Sequence, residues 1–232
     1  MTVTRALAVM AHPDDVDFGS AGTIAMWTDA GIEVTYCIIT DGDAGGFDPS
    51  VPRSEIGAIR RAEQQAAAKE VGVDDVRFLG YPDGRLEVSL DLRRDISRVI
   101  REVRPERVIC QSPERNMFRI PASHPDHMAA GEAALCAIYP DARNPFAFAD
   151  LADLEAWSVA ETWVVGYERT NRYIDVTDVW DRKMAALRAH ASQHPRPEQL
   201  DPMMCGWNGG NAAAAGLPAG RLAEGFWVFA TA

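Results

Sequence analysis

Short apolar runs alternate with longer amphipathic stretches through the first half of this 232-residue chain. Ala6 to Met10 and Glu33 to Ile39 read as strands, the second rich in β-branched residues, and Val76 to Leu79 and Arg107 to Cys110 read as two more. Between them lie segments of helical period, from about Ser20 to Ala30, Arg53 to Val71 and Leu90 to Val103. Gly31 and Gly72 follow the first two as stop signals. Strand, helix, strand, helix at this spacing predicts βαβ units: an α/β fold built on a mostly parallel sheet with helices on both faces. In such sheets ligands sit outside the carboxyl ends of the strands.

The second half is less regular. His127 to Ala137 predicts a helix, Tyr139 to Ala149 a Pro- and aromatic-rich loop, Ala160 to Gly166 and Tyr173 to Val176 strands, and Val179 to His190 a helix. The stretch from Gln193 to Ala219, dense in Pro, Gly and Ala, reads as a long loop suited to a lid or a partner contact. No linker or repeat divides the chain, so residues 1–232 are read as a single domain.

Composition narrows the partners. A net charge of -11 repels nucleic acid and anionic membrane alike, and no apolar run reaches the length of a membrane span. The N-terminus is acidic too soon for a secretory leader. The four cysteines form no C-x-x-C pair, and Cys37 and Cys110 lie inside strand-like runs, where buried free thiols are expected. A small-molecule ligand and a reducing, cytoplasmic setting follow as expectations.

The candidate chemistry lies in two short clusters, Ala11-His12-Pro13-Asp14-Asp15 after the first strand and Ser123-His124-Pro125-Asp126-His127 in the loop that follows the strand ending at Cys110. One imidazole and one carboxylate from the first, with one imidazole from the second, make a three-ligand set. Three protein ligands with an open position are the form of a catalytic zinc site, and two His with a carboxylate also suit ferrous iron. A spare carboxylate beside such a site can take a proton from attacking water, and a spare histidine can stabilise an oxyanion or protonate a leaving amine. The plainer alternative is a turn with a helix N-cap in the first cluster and an ordinary His-Pro loop in the second. Two such clusters on strand-terminal loops, in a chain with five histidines, favour the chemical reading.

AHPDDVDFGSAGT near the N-terminus, paired with HPDH in mid-chain, resembles the PIG-L/LmbE family of zinc-dependent N-acetylglucosaminyl deacetylases. The TDGDAG loop, the helix IRRAEQQAAAKEVGV, the LGYPDGRL turn and the KMAALRAHASQ segment extend the likeness over most of the chain. The resemblance implies a Rossmann-like fold and an N-acylated small-molecule substrate, with His12, Asp15 and His127 as zinc ligands. It also implies Asp14 as general base, His124 as electrostatic or general-acid partner, and Asp126 as the residue orienting a histidine. Arg60, in R-x-x-E with Glu63, is a candidate for a substrate hydroxyl, with an exposed helical ion pair as its alternative. Asp41 is a candidate for a sugar hydroxyl, or a turn residue. A homo-oligomer is compatible with the resemblance. One departure stands out: family members commonly carry Glu where this chain has Asp17.

Outside these motifs, His190 and His194 have the spacing of helix neighbours, but Pro195 points to a helix end rather than a second metal pair. Trp207 is a candidate for the mouth of a site. Within the family, a thiol-conjugate amidase or an antibiotic-tailoring deacylase would use the same active-site residues. A nucleotide-binding Rossmann module predicts G-x-G-x-x-G after the first strand, where this chain has HPDD. A non-catalytic binder on the same fold is the third alternative.

Overall fold

Apolar alternation along the first strand sets the layering of the whole molecule, as seen in a computed structural model that describes residues 2–117, 120–166 and 169–232. β1 (Arg5–Met10) turns Ala6, Ala8 and Met10 to one face of the sheet and Leu7 and Val9 to the other, all fully buried. The first face is covered by α1 (Asp15–Asp29), α2 (Arg53–Glu70) and α5 (Trp180–Ala189). The second is covered by α3 (Leu90–Val103) and α4 (Pro125–Cys136). Among the described residues this makes a three-layer α/β sandwich, the architecture expected from the strand and helix pattern.

Four strands join β1 in parallel: β2 (Glu33–Thr40), β3 (Asp75–Tyr81), β4 (Arg107–Gln111) and β5 (Glu161–Val165). β6 (Arg172–Asp175) and β7 (Ala223–Ala230) complete the sheet in the order β3-β2-β1-β4-β5-β7-β6, with β7 antiparallel to both its neighbours. The chain leaves β1 toward β2 on one side, and β4 lies on the other. That reversal opens a crevice outside the carboxyl ends of β1 and β4, the place where doubly wound sheets bind ligands. Both His/Asp clusters follow these two strands.

Local chemistry sets the helices at that edge. Asp14 is the N-cap of α1 and His124 the N-cap of α4, whose ring Nδ1 accepts the Asp126 N–H at 3.2 Å while Pro125 fills the first helical position. Gly131 lets α4 press onto β4, because a Cβ there would lie 2.3 Å from the Gln111 carbonyl oxygen. Cys37 and Cys110 are free and buried, and burial pushes both thiols up to about 12. No described helix is long and apolar enough to cross a membrane.

The structure corrects the reading of Gln193 to Ala219. Much of it is α6 (Leu200–Ala214), in which Leu200, Met204, Asn208 and Ala212 form a buried stripe. Gly206, Gly209 and Gly210 are poor helix formers; packing of Leu200 and Met204 on Met184 and Leu187 outweighs that preference. β7 also appears where the sequence reading named no element.

A buried ion pair ties α5 to this frame. Lys183 Nζ donates to Glu224 Oε1 at 2.6 Å and to the Asp17 and Phe18 carbonyls at 2.9 and 2.8 Å, while Glu224 accepts the Gly22 and Thr23 N–H groups. Removing one partner of such a pair strands a buried charge and costs about 3–5 kcal/mol. Lys183→Met is therefore expected to lower stability by about that amount, read as the midpoint of denaturant unfolding; an unchanged midpoint would contradict it.

Candidate metal centre and active site

Burial of ionisable groups is costly unless they answer one another, and at the end of β1 they do. His12 is buried with carboxylates at both ring nitrogens. Its Nδ1 lies 3.2 Å from Asp15 Oδ2 and 3.2 Å from His127 Nε2, and Asp15 Oδ1 closes the triangle 3.0 Å from His127 Nε2. On the opposite edge, His12 Nε2 lies 3.0 Å from Asp83 Oδ1 and 3.2 Å from Asp126 Oδ2. Asp126 is fixed by the Gly84 and Leu86 N–H groups, at 2.7 and 3.2 Å, and Asp83 by the Ala44 N–H at 3.2 Å.

This charge pattern fits a cation. Burial works against protonation of His12, yet the carboxylates of Asp126, Asp15 and Asp83 outweigh it and hold its pKa up to about 12. Burial likewise opposes ionisation of Asp15, but His127 and His12 keep its carboxyl well below the usual range. The three mutually facing donors, spaced 3.0–3.2 Å apart, approach the roughly 3.3 Å separation of ligands about 2.0–2.1 Å from a tetrahedral ion. Asp126 and Asp83 behind the ring fix which His12 nitrogen carries the proton, leaving Nδ1 for an ion. His124 stands beside this set, its ring centroid 5.0 Å from that of His12 and 5.3 Å from that of His127. One of its ring nitrogens also lies near enough to those of the other two histidines to share an ion with them.

Asp14 occupies a different environment from its neighbour. Its backbone adopts φ 93°, ψ -31°, a left-handed conformation that costs a residue with a side chain about 1–3 kcal/mol and gathers at functional sites. Arg60 Nη2 donates to Asp14 Oδ2 at 2.9 Å. Burial nevertheless pushes the carboxyl up to about 6, against the pull of that guanidinium. Burial, with the charges of His12 and His127, lowers the His124 pKa, so its ring is neutral near pH 7. With Nδ1 accepting from Asp126, the proton of the neutral ring sits on Nε2.

A cavity of about 360 Å³ opens over Asp14, Asp15 and His127, walled by Phe18, Val165, Met203 and Trp207. Trp207 thus lines the mouth of the site, as its segment suggested. The exposed ion-pair reading of Arg60 with Glu63 is corrected. Arg60 is buried rather than exposed, and its partners are Asp14 and the Pro13 and Gly42 carbonyls, not Glu63. Glu63 instead accepts from Ser192. Asp41 accepts from Arg61 at 2.6 Å in a separate depression with Asp43, Arg53 and Tyr81. As Pro195 suggested, His190 ends α5 rather than pairing with His194 on a metal: the first binds Asp17 and the second the Leu187 carbonyl.

Sequence reasoning passed over Asp83 because Pro-Asp-Gly after a strand is a turn signal, which hid the carboxylate's second use. Gln64 carried no signal, since an amide inside a helical repeat has no spacing to betray it.

Fold and cluster together describe an α/β protein with a buried His/Asp cluster at the switch point of a mostly parallel sheet. Comparison with known proteins narrows this further. The family model described as PIG-L, GlcNAc-PI de-N-acetylase, matches residues 7–138, the span that carries both clusters, and the chain belongs to this family. It is 33% identical over 194 residues to a diacetylchitobiose deacetylase of Thermococcus kodakarensis, covering 83% of this chain and 71% of that protein. It is 36% identical to a probable N-acetyl-alpha-D-glucosaminyl L-malate deacetylase 2 of Bacillus cereus, covering 81% and 82%. In structure it resembles the N,N'-diacetylchitobiose deacetylase of Pyrococcus horikoshii complexed with an inhibitor, with a TM-score of 0.90, 30% identity and coverage of 98% and 84%.

Equilibrium dialysis against zinc tests the triangle. One ion per chain is expected, with binding abolished in His12→Ala and His127→Ala and weakened about 10–100-fold in Asp126→Asn. Unchanged zinc binding in His12→Ala would remove the triangle as the metal site.

Proposed function

We propose that this protein is a metal-dependent hydrolase that removes an N-acyl group, acetyl, from an amino-sugar-like small molecule. The observation that carries the proposal is the division of labour between adjacent carboxylates: Asp15 faces His12 and His127, while Asp14 is held apart by Arg60 with its pKa raised to about 6. Two neighbouring acids driven in opposite directions by their surroundings are the mark of separate roles in one reaction. The relatives' deacetylase activities, all on N-acetylated sugars by name, support the substrate class. The cavity volume falls within the roughly 300–1,000 Å³ of small-molecule sites.

In this reading His12, Asp15 and His127 hold zinc, with ferrous iron the other ion suited to the set. When bound, the ion supplies Lewis acidity to water and to the acyl carbonyl. Asp14 takes a proton from the attacking water at Oδ1, since Oδ2 is engaged by Arg60. As the carbon–oxygen bond forms, His124 Nε2–H donates to the developing oxyanion. The carbon–nitrogen bond then breaks, and the proton carried by Asp14 passes to the departing amine, leaving acetate and a free amino sugar. Asp126 keeps the His124 ring in place through its backbone N–H and the His12 ring through its carboxylate.

Amine release from a panel of N-acetylated amino sugars, by zinc-loaded protein, tests the activity. Asp14→Asn is expected to lower kcat about 10²–10⁴-fold while zinc stays bound. Full activity of Asp14→Asn with intact metal would overturn the assignment of the base. Zinc-loaded protein inert on every N-acetyl amino sugar yet active on another small amide would overturn the substrate class alone.

A further inference from the structure

Asp14 is gripped at two points by one helix. Arg60 and Gln64 lie one turn apart on α2. The first holds the Asp14 carboxylate, and the second accepts the Asp14 backbone N–H at Oε1, 2.8 Å away. Gln64 is fully buried, and its other amide atom, Nε2, donates to Asp17 Oδ2 at 2.8 Å. The same oxygen lies 2.8 Å from His190 Nε2, and both Asp17 and His190 are fully buried. The result is an unbroken chain from His190 through Asp17 and Gln64 to the backbone of the strained residue.

The chemistry gives this chain a direction. Asp17 Oδ2 accepts from Gln64 Nε2, so Gln64 presents its NH₂ toward Asp17 and its oxygen toward the Asp14 N–H, which can only donate. A rotated amide would set donor against donor at the Asp14 N–H. His190, donating from Nε2, adds a second donor to Asp17 and holds that carboxylate in place. As a device for stability the arrangement is poor, since Asp17 Oδ1 and His190 Nδ1 are buried without a hydrogen-bond partner among the described residues. None of the three residues lines the cavity over the metal cluster, so none touches substrate there. Asp17 meets both Gln64 and His190 through one oxygen, Oδ2.

We propose that His190, Asp17 and Gln64 are positioning residues that hold the Asp14 backbone in its left-handed turn and so aim the Asp14 carboxylate at the reacting water. This rests on the reading of Asp14 as the base. Gln64→Met keeps the volume and removes both amide hydrogen bonds. His190→Phe keeps a ring and removes the donor to Asp17.

The experiment measures kcat, KM, bound zinc and hydrogen exchange of the Asp14 amide in the metal-free protein, for both single variants and the double. Expected for Gln64→Met is a fall in kcat of about 10–100-fold, with KM and zinc content within about twofold of wild type, and loss of protection at the Asp14 amide. His190→Phe is expected to act in the same direction, and the double variant to lose little beyond the worse single, as residues in one chain do. If Gln64→Met does not fold, His190→Phe carries the test by the same measurements. Wild-type kcat in the folded variant, or a loss of activity explained by lost zinc or a raised KM, would overturn the proposal. The Asp14→Asn result separates the two readings: an active Asp14→Asn removes the base itself, whereas an inert Asp14→Asn with unaffected Gln64→Met and His190→Phe removes only the positioning role.

Discussion

A buried imidazole with carboxylates on both edges joins the loops at the carboxyl end of the sheet. His12 follows β1, Asp83 follows β3, Asp126 and His127 open α4 beyond β4, and Asp15 opens α1. Carboxylates this close raise one another's pKa and drive the loops apart unless positive charge lies among them. The His12 ring supplies that charge when protonated, and a bound cation supplies it when the ring is neutral. The loops are thus held in register by charge balance as much as by apolar packing. On the proposed reading, a metal would take the place of a proton at this site, which would tie ion affinity to pH and to folding.

The apolar frame decides where that balance can form. β1 is buried on both faces, so apolar packing fixes the position of its end. Gly131 allows α4 to lie against β4 closely enough for His127 to meet Asp15. Lys183 reaches the Asp17 and Phe18 carbonyls in the first turn of α1, so α5 braces the helix that carries Asp15. Strain at Asp14 persists because contacts on every side over-determine it.

The parallel sheet and the two His/Asp clusters were legible because each has a short-range signature. Strands β1 to β4 announce themselves as apolar runs, and HPDD and HPDH place three unlike groups within a few residues. Polar contacts that join distant segments have no such signature. Arg60 was read against Glu63, its neighbour along the helix, because sequence offers i,i+3 partners before it offers Asp14. His190 was read as a helix end, which it is, but its partner Asp17 lies 173 positions away. Helix α6 hid behind the low propensity of its glycines, although Leu200, Met204, Asn208 and Ala212 recur every four residues.

The element hardest to read from composition is also the one that shapes the cavity. Met203 and Trp207 of α6 wall the space above Asp14 and His127, together with Phe18 from α1 and Val165 from β5. The residues assigned to bond cleavage all fall within the matched family region, residues 7–138, whereas Val165, Met203 and Trp207 fall outside it. On the proposed reading, the reacting groups lie inside the matched region, while part of the cavity wall comes from outside it. A hydrolytic centre needs fixed donor geometry, and the loops after β1 and β4 supply it. Recognition of a particular amine needs only a wall of suitable shape. In α6 the glycines lower helix propensity and the alanines raise it, and the helix is held on the body of the protein by Leu200 and Met204, one residue away from the wall residue Met203.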